Sequence, residues 1–202
     1  MLLFLDVVSP IPEFHLINEK KIVVSIKILE NYDEKLSDSI IPKYLEINNI
    51  YKLNQKITHL LITTGPGSYT ALRVGASFIA GLSQSISLPV AIISSENIYE
   101  FLNYENMQIG VYLESSNNQK FFTYKKDREF FHEKIENKNF IIPGHITSLF
   151  YNLEYTEIFN TKLNSKSFSM INIVLKNLNN LVFKKNLIIK PIYISNNIIL
   201  NW

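Results

Sequence analysis

The sequence predicts an α/β protein: mixed sheets flanked by helices, divided into two lobes. Three observations predict it. Apolar runs alternate with helical spacings through residues 57–102, the strand–helix–strand–helix order of a parallel sheet with right-handed crossovers. Ahead of them, two β-rich runs flank a four-residue polar break, Asn18-Glu19-Lys20-Lys21, as in a hairpin. A length of 202 residues with 47% hydrophobic content allows one large domain or two small lobes, each with a core.

Leu2 to Val8 reads as a buried strand interrupted by Asp6, followed by strands at Phe14 to Ile17 and Ile22 to Ile28. Leu36, Ile40, Ile41, Tyr44, Leu45 and Ile47 fall mostly three and four apart, a helix over 37–48 with Ser37 or Asp38 as cap and Pro42 as an awkward passenger. Ile57 to Thr63 is the next strand, then a helix from Thr70 to Ile86, a strand from Leu88 to Ile93, and a helix capped by Ser94 or Ser95 that runs to Leu102. Beyond it, Met107 to Leu113 and Lys120 to Tyr124 look like paired strands, Phe140 to Ile142 a short strand, Phe168 to Leu178 a helix capped by Ser165 or Ser167, and Leu187 to Ile194 an edge strand. The lobes divide as residues 1–104 and 105–202, and no internal repeat is visible.

Composition excludes several classes of function. Twenty basic against 18 acidic side chains leave a formal charge of +2, too balanced to give a strong field for nucleic acid or anionic lipid, although a local basic patch remains open. The absence of cysteine removes disulfides, thiolate nucleophiles and zinc–thiolate sites. The opening residues lack a basic leader and Asp6 ends their apolar run. No apolar stretch approaches the roughly 20 residues of a membrane helix. A soluble cytoplasmic protein with no membrane role is expected. Abundant Asn, Ile and Lys suggest an AT-biased bacterial genome, in which drift erodes surface motifs without changing the fold.

The most informative stretch is Thr63-Thr64-Gly65-Pro66-Gly67-Ser68-Tyr69-Thr70-Ala71-Leu72-Arg73-Val74-Gly75. Pro66 suits the second position of a turn and Gly67 accepts the positive φ after it, while Gly65 admits a close backbone. Ser68 and Thr70 can cap the helix, whose free amides can hold an anion. The turn reads either as an anion cradle or as a tight strand-to-helix connection. The helix is rich in small residues: Ala71, Gly75, Ala76, Ala80, Gly81 and Ser83. Each internal glycine costs about 1 kcal/mol of helix propensity, so their size implies close packing, either within the chain or against another subunit.

Gly65 to Gly75 resembles the GPGSFTGLRxG signature of the bacterial TsaB/YeaZ family, with Tyr69 for Phe and Ala71 for Gly. Leu2-Leu3-Phe4-Leu5-Asp6 stands where that family has its opening strand, with Val7 and Val8 before the hydroxyl of Ser9. Leu36-Ser37-Asp38-Ser39-Ile40-Ile41-Pro42 resembles its HSExLLP helix, with Leu36 for His. Pro191-Ile192-Tyr193-Ile194-Ser195-Asn196-Asn197 resembles PxYLRNN. The likeness fades from Asn103 to Asn186, where Leu113-Glu114-Ser115-Ser116 lacks the Asp and Arg of DARxGEVY.

The resemblance implies an actin-like ATPase fold, two lobes each with a ribonuclease-H-like sheet. It implies a non-catalytic subunit for tRNA threonylcarbamoyladenosine synthesis, with no cofactor, supporting a TsaD-type transferase. A TsaE-type ATPase joins, tRNA is met only indirectly, and a homodimer is open when the subunit is alone. The partner interface would use Ile40, Ile41, Tyr44, Leu72, Gly75, Ala76, Ile79 and Ala80. Asp6, Gly65, Gly67, Ser68, Thr70 and Arg73 are candidates for anion or nucleotide contact. They would serve the alternative reading, a small actin-like ATPase or kinase using Asp6 and the Gly65–Thr70 turn. His15, His59, His132 and His145 include no pair four residues apart on a helix, so no metal site is expected. The aromatic and basic residues Phe121, Phe122, Lys125, Lys126, Arg128, Phe130 and Phe131 read as a hairpin with one solvated face, or as a stacking surface for nucleic acid.

Overall fold

The computed structural model describes residues 1–31, 34–103, 107–136, 140–152, 163–195 and 198–200. The expected lobe boundary at 104/105 lies outside these residues. Strands β1 (Leu2–Asp6), β2 (Glu13–Asn18) and β3 (Lys21–Lys27) form an antiparallel meander. Next come α1 (Leu36–Tyr51), the short α2 (Leu53–Lys56), β4 (His59–Gly65), α3 (Tyr69–Ile86), β5 (Val90–Ser94) and α4 (Ser95–Leu102). Strands β4 and β5 join β1 in parallel, which gives the sheet order β3-β2-β1-β4-β5.

The second half repeats this plan. Strands β6 (Ile109–Ser115), β7 (Gln119–Lys126) and β8 (Glu129–Ile135) are antiparallel neighbours. Strands β9 (Ser148–Tyr151) and β10 (Asn164–Ser167) add in parallel beside β6, so the order is β10-β9-β6-β7-β8. Helix α5 (Met170–Asn177) and a small hairpin of β11 (Tyr193–Ser195) and β12 (Ile198–Leu200) complete the described elements. Each half is one meander extended by two parallel strands, the same order twice. The internal repeat therefore exists in topology and not in residues. This is the actin-like, ribonuclease-H-like α/β fold.

The local reasons are plain. Leu36, Ile40, Tyr44 and Ile47 put the buried stripe of α1 on its sheet. Phe14 of β2, Tyr44 of α1 and Phe78 of α3 meet ring to ring, with Tyr44 and Phe78 edge to face at 5.3 Å. Pro42 lies inside α1, whose N-cap is Lys35 without a side-chain bond, so neither Ser37 nor Asp38 caps it. Ser94 does cap α4: its Oγ accepts from Asn97 N, and Asn97 Oδ1 accepts from Ser94 N. Three further expectations change. Phe140 to Ile142 forms no strand, and of Leu187 to Ile194 only Tyr193 and Ile194 enter one. Ser169 heads α5, while Ser165 and Ser167 belong to β10. None of the helices of the described residues is long and apolar enough to cross a membrane.

Candidate functional site

The signature turn is a crossing of two chain segments. Gly65 holds φ +108°, and a Cβ there would stand 2.8 Å from the Ile192 carbonyl oxygen and 3.0 Å from Leu72 Cδ1. Ile192 N donates to the Thr64 carbonyl at 2.7 Å. The positive φ expected at Gly67 thus falls at Gly65, because that is where the C-terminal segment passes over. Ser68 starts α3 through its carbonyl, which accepts from Leu72 N at 2.9 Å. Its hydroxyl makes no cap, and Thr70 is exposed within the first turn.

Asp6 is 2% exposed and fully engaged by its own chain. Its Oδ1 accepts from Val8 N at 3.0 Å, Ser9 N at 3.2 Å and Thr63 Oγ1 at 3.0 Å, and its Oδ2 accepts from Ser9 Oγ at 2.5 Å. This is a carboxylate closing a turn at a strand end. The two valines after it fill the space beside the signature. A Cβ on Gly75 would meet Val7 Cγ1 at 2.8 Å, and one on Gly67 would meet Val8 Cγ2 at 3.6 Å. Asp6, Gly65, Gly67 and Ser68 are buried. Thr70 and Arg73 lie outside on α3, where Arg73 Nη1 donates to Tyr69 Oη at 3.2 Å. The six anion candidates therefore do not converge on one cavity. Behind Asp6, His15 stacks on Phe4 at 5.2 Å and sits 2.7 Å from Ser25 Oγ. Burial pushes the His15 pKa down against the pull of Asp6, and burial followed by Asp6 pushes that of Glu13 up.

The eight interface candidates separate in the same way. Ile40, Tyr44, Leu72, Gly75 and Ile79 are buried inside the chain, so the glycine at 75 serves contact with Val7 and Ile62 of its own fold. Ala76 and Ala80 are half-buried, and Ile41 is 56% exposed. One turn on from Ile41, Leu45 is 52% exposed, and Gly81 of α3 has open space where a Cβ would point. Sequence periodicity missed Leu45 and Gly81 as surface residues because α1 and α3 have apolar or small residues on more than the buried side.

A buried polar knot also escaped the sequence. His132 of β8 meets Ser95 Oγ at 3.2 Å and Thr123 Oγ1 at 2.9 Å through Nδ1, and Glu96 Oε1 at 3.3 Å through Nε2. With the proton on Nε2 facing Glu96, the one lone pair of Nδ1 accepts from Thr123 and, at the longer distance, is shared with Ser95. Ser, His and carboxylate in a row have the connectivity of a hydrolytic triad, but Ser95 is 0% exposed, beyond reach of a substrate. The knot ties α4 to β7 and β8. No local motif marks it, since its members lie up to 37 residues apart. Lys125 of the aromatic hairpin pairs with Glu100 at 2.6 Å and covers Phe130 at 4.8 Å, while Phe121 and Phe122 are buried. Those positions form a hairpin with an inward face. His59 rests on Phe183 and His145 on Tyr124. No cluster of three His, Asp or Glu among the described residues is disposed to hold a metal.

Comparison with known proteins adds three findings. The family model described as TsaD, tRNA N6-adenosine threonylcarbamoyltransferase, matches residues 32–137, just over half of the chain. The structure of YeaZ from Pseudomonas aeruginosa superposes with a TM-score of 0.63 over 96% of this chain and 99% of that one, at 14% identity. A second structure, of an uncharacterized protein with similarity to peptidase YeaZ from Pseudomonas aeruginosa, gives 0.63 over the same shares at 13%. The search of curated proteins returns no match.

Proposed function

The chain belongs to the TsaD family and folds like YeaZ over 96% of its length, and on that premise we propose that it is a non-catalytic subunit of the tRNA threonylcarbamoyladenosine assembly. Its role is to hold a TsaD-type transferase through the outer side of α1 and α3. One observation supports the reading: Val7 and Val8 pack against Gly75 and Gly67 of the signature, and Asp6 is bonded to its own turn, so these groups are engaged within the chain. The surface offered to the transferase is Ile41 and Leu45 on α1 and the open backbone at Gly81 on α3, together with the half-buried Ala76 and Ala80. Exposed aliphatic side chains on one helix and an open glycine on the other suit a partner helix approaching closely. Ile40, Tyr44, Leu72, Gly75 and Ile79 support that face from beneath. The first lobe, residues 1–104, carries the contact. The second, 105–202, is a buttress. A TsaE-type ATPase meets the assembly through the transferase, and self-association through the same helices is what the free subunit does.

The test is co-purification with the cognate TsaD-type protein. Leu45→Asp changes an exposed position and should leave the melting temperature of the free chain within about 2 °C, the scale of a surface substitution. It should weaken the complex at least tenfold. Unchanged affinity, or no complex with the wild-type chain, sinks the proposal.

A further inference from the structure

The near-neutral total conceals a segregation of charge. Residues 163–202 contain five lysines, at 166, 176, 184, 185 and 190, and no Asp or Glu. The other 162 residues hold 15 basic against 18 acidic side chains, so the formal +2 combines −3 in one part with +5 in the other. Part of the basic tail is tied to the first sheet at two places, with a turn at Lys185–Asn186 between them. Lys184 exchanges two backbone hydrogen bonds with Val90, both 2.9 Å, and Ile192 N bonds the Thr64 carbonyl at 2.7 Å. Phe183 packs on His59 at 4.8 Å, and Tyr193 on Tyr69 at 4.6 Å. Between these anchors Lys184, Lys185 and Lys190 are exposed. Among the described residues none of the three lies in an ion pair, in contrast to Lys43, Lys125 and Lys134.

We propose that Lys184, Lys185 and Lys190 form a strip that binds the phosphate backbone of RNA. Flexible point charges held on a fixed backbone, with no carboxylate in their own stretch of chain, suit phosphates rather than a specific protein surface. Steering of this kind depends on local field, not net charge. Val182 and Ile188, 67% and 76% exposed, stand beside the lysines. Two isolated aliphatic side chains on an anchored, non-helical segment do not make the amphipathic helix that inserts into lipid. The positive strip stands on charge and geometry alone; choosing RNA as its polyanion rests on the function proposed above. It replaces the expectation that tRNA is met only indirectly.

The probe is a fluorescently labelled tRNA transcript, titrated by anisotropy across about 50–200 mM salt, where phosphate contacts show as a slope of log affinity on log salt. K184Q/K185Q should reduce that slope by about two and weaken binding roughly tenfold near 0.1 M salt, whereas K43Q should change neither. No binding at the lowest salt overturns the proposal, as does a double variant equal to the wild type. Binding to phosphatidylserine vesicles but not to tRNA assigns the strip to lipid and also overturns it. The same variants are assayed for the TsaD-type partner. Retained complex with lost RNA binding supports the strip. Loss of the partner by K184Q/K185Q makes the strip a protein contact and overturns it. A wild-type chain that binds tRNA by this slope but no partner leaves the strip standing and removes the scaffold reading.

Discussion

Gly75 and Gly81 lie six residues apart on one helix and are chemically identical, yet their surroundings are opposite. Gly75 faces Val7 and Ile62, and a methyl there would need Val7 Cγ1, 2.8 Å away, to move. Gly75→Ala gains about 1 kcal/mol of helix propensity but forces overpacking worth about 1–3 kcal/mol. A net loss in urea denaturation is expected. Gly81→Ala meets nothing within 4 Å and should raise stability by about 0.5–1 kcal/mol. Equal responses would mean that the helix does not sit as described. The sequence displayed the small residues on this helix but could not say which point inward, because Ala, Gly and Ser cover more than one side of it. Val7 and Val8 likewise read as a departure from a motif. Only their packing against Gly75 and Gly67 shows what the departure does.

Between elements, the joint of α4 with β7 and β8 depends on one imidazole. His132→Leu keeps volume roughly constant and leaves the Ser95 and Thr123 hydroxyls facing an apolar group. The cost should be about 2 kcal/mol, from desolvated hydroxyls without their acceptor. A smaller denaturation midpoint with an unchanged m-value checks it; no loss would show that the hydroxyls find other partners. Elements of the first half were legible because strand and helix periods alternate there with clear punctuation. The second half was less so. Asn164 to Ser167 pairs as β10 with every side chain exposed, so no apolar alternation announced it. Leu187 and Ile189 looked like strand residues, but they pack on the core from a segment without a ladder over most of its length.

At the scale of the molecule, two buried imidazoles set the response to acid. His15 and His132 both have pKa values pushed below the ordinary 6.5 by burial, so the folded chain refuses protons that the unfolded chain accepts. Stability from these groups is complete above about pH 6.5 and falls as pH drops below it. Glu13 works the other way: its raised pKa favours the folded state toward acid, in the carboxylate range above 4.5. Melting temperature should therefore be flat from pH 8 to about 6.5, decline toward about 5.5, and decline less in His132→Leu. A flat profile to pH 5.5 would place both rings in water. The whole-molecule plan was half legible: two lobes were expected, but their matching strand order was invisible because topology survives where residue identity has drifted.

A hinge needs something to close around. Here the methyl groups of Val7 and Val8 lie against Gly75 and Gly67, so the opening strand and the glycine-rich helix close on each other. On the scaffold reading proposed above, the moving parts of the assembly belong to its other members, and this chain is the frame they work against.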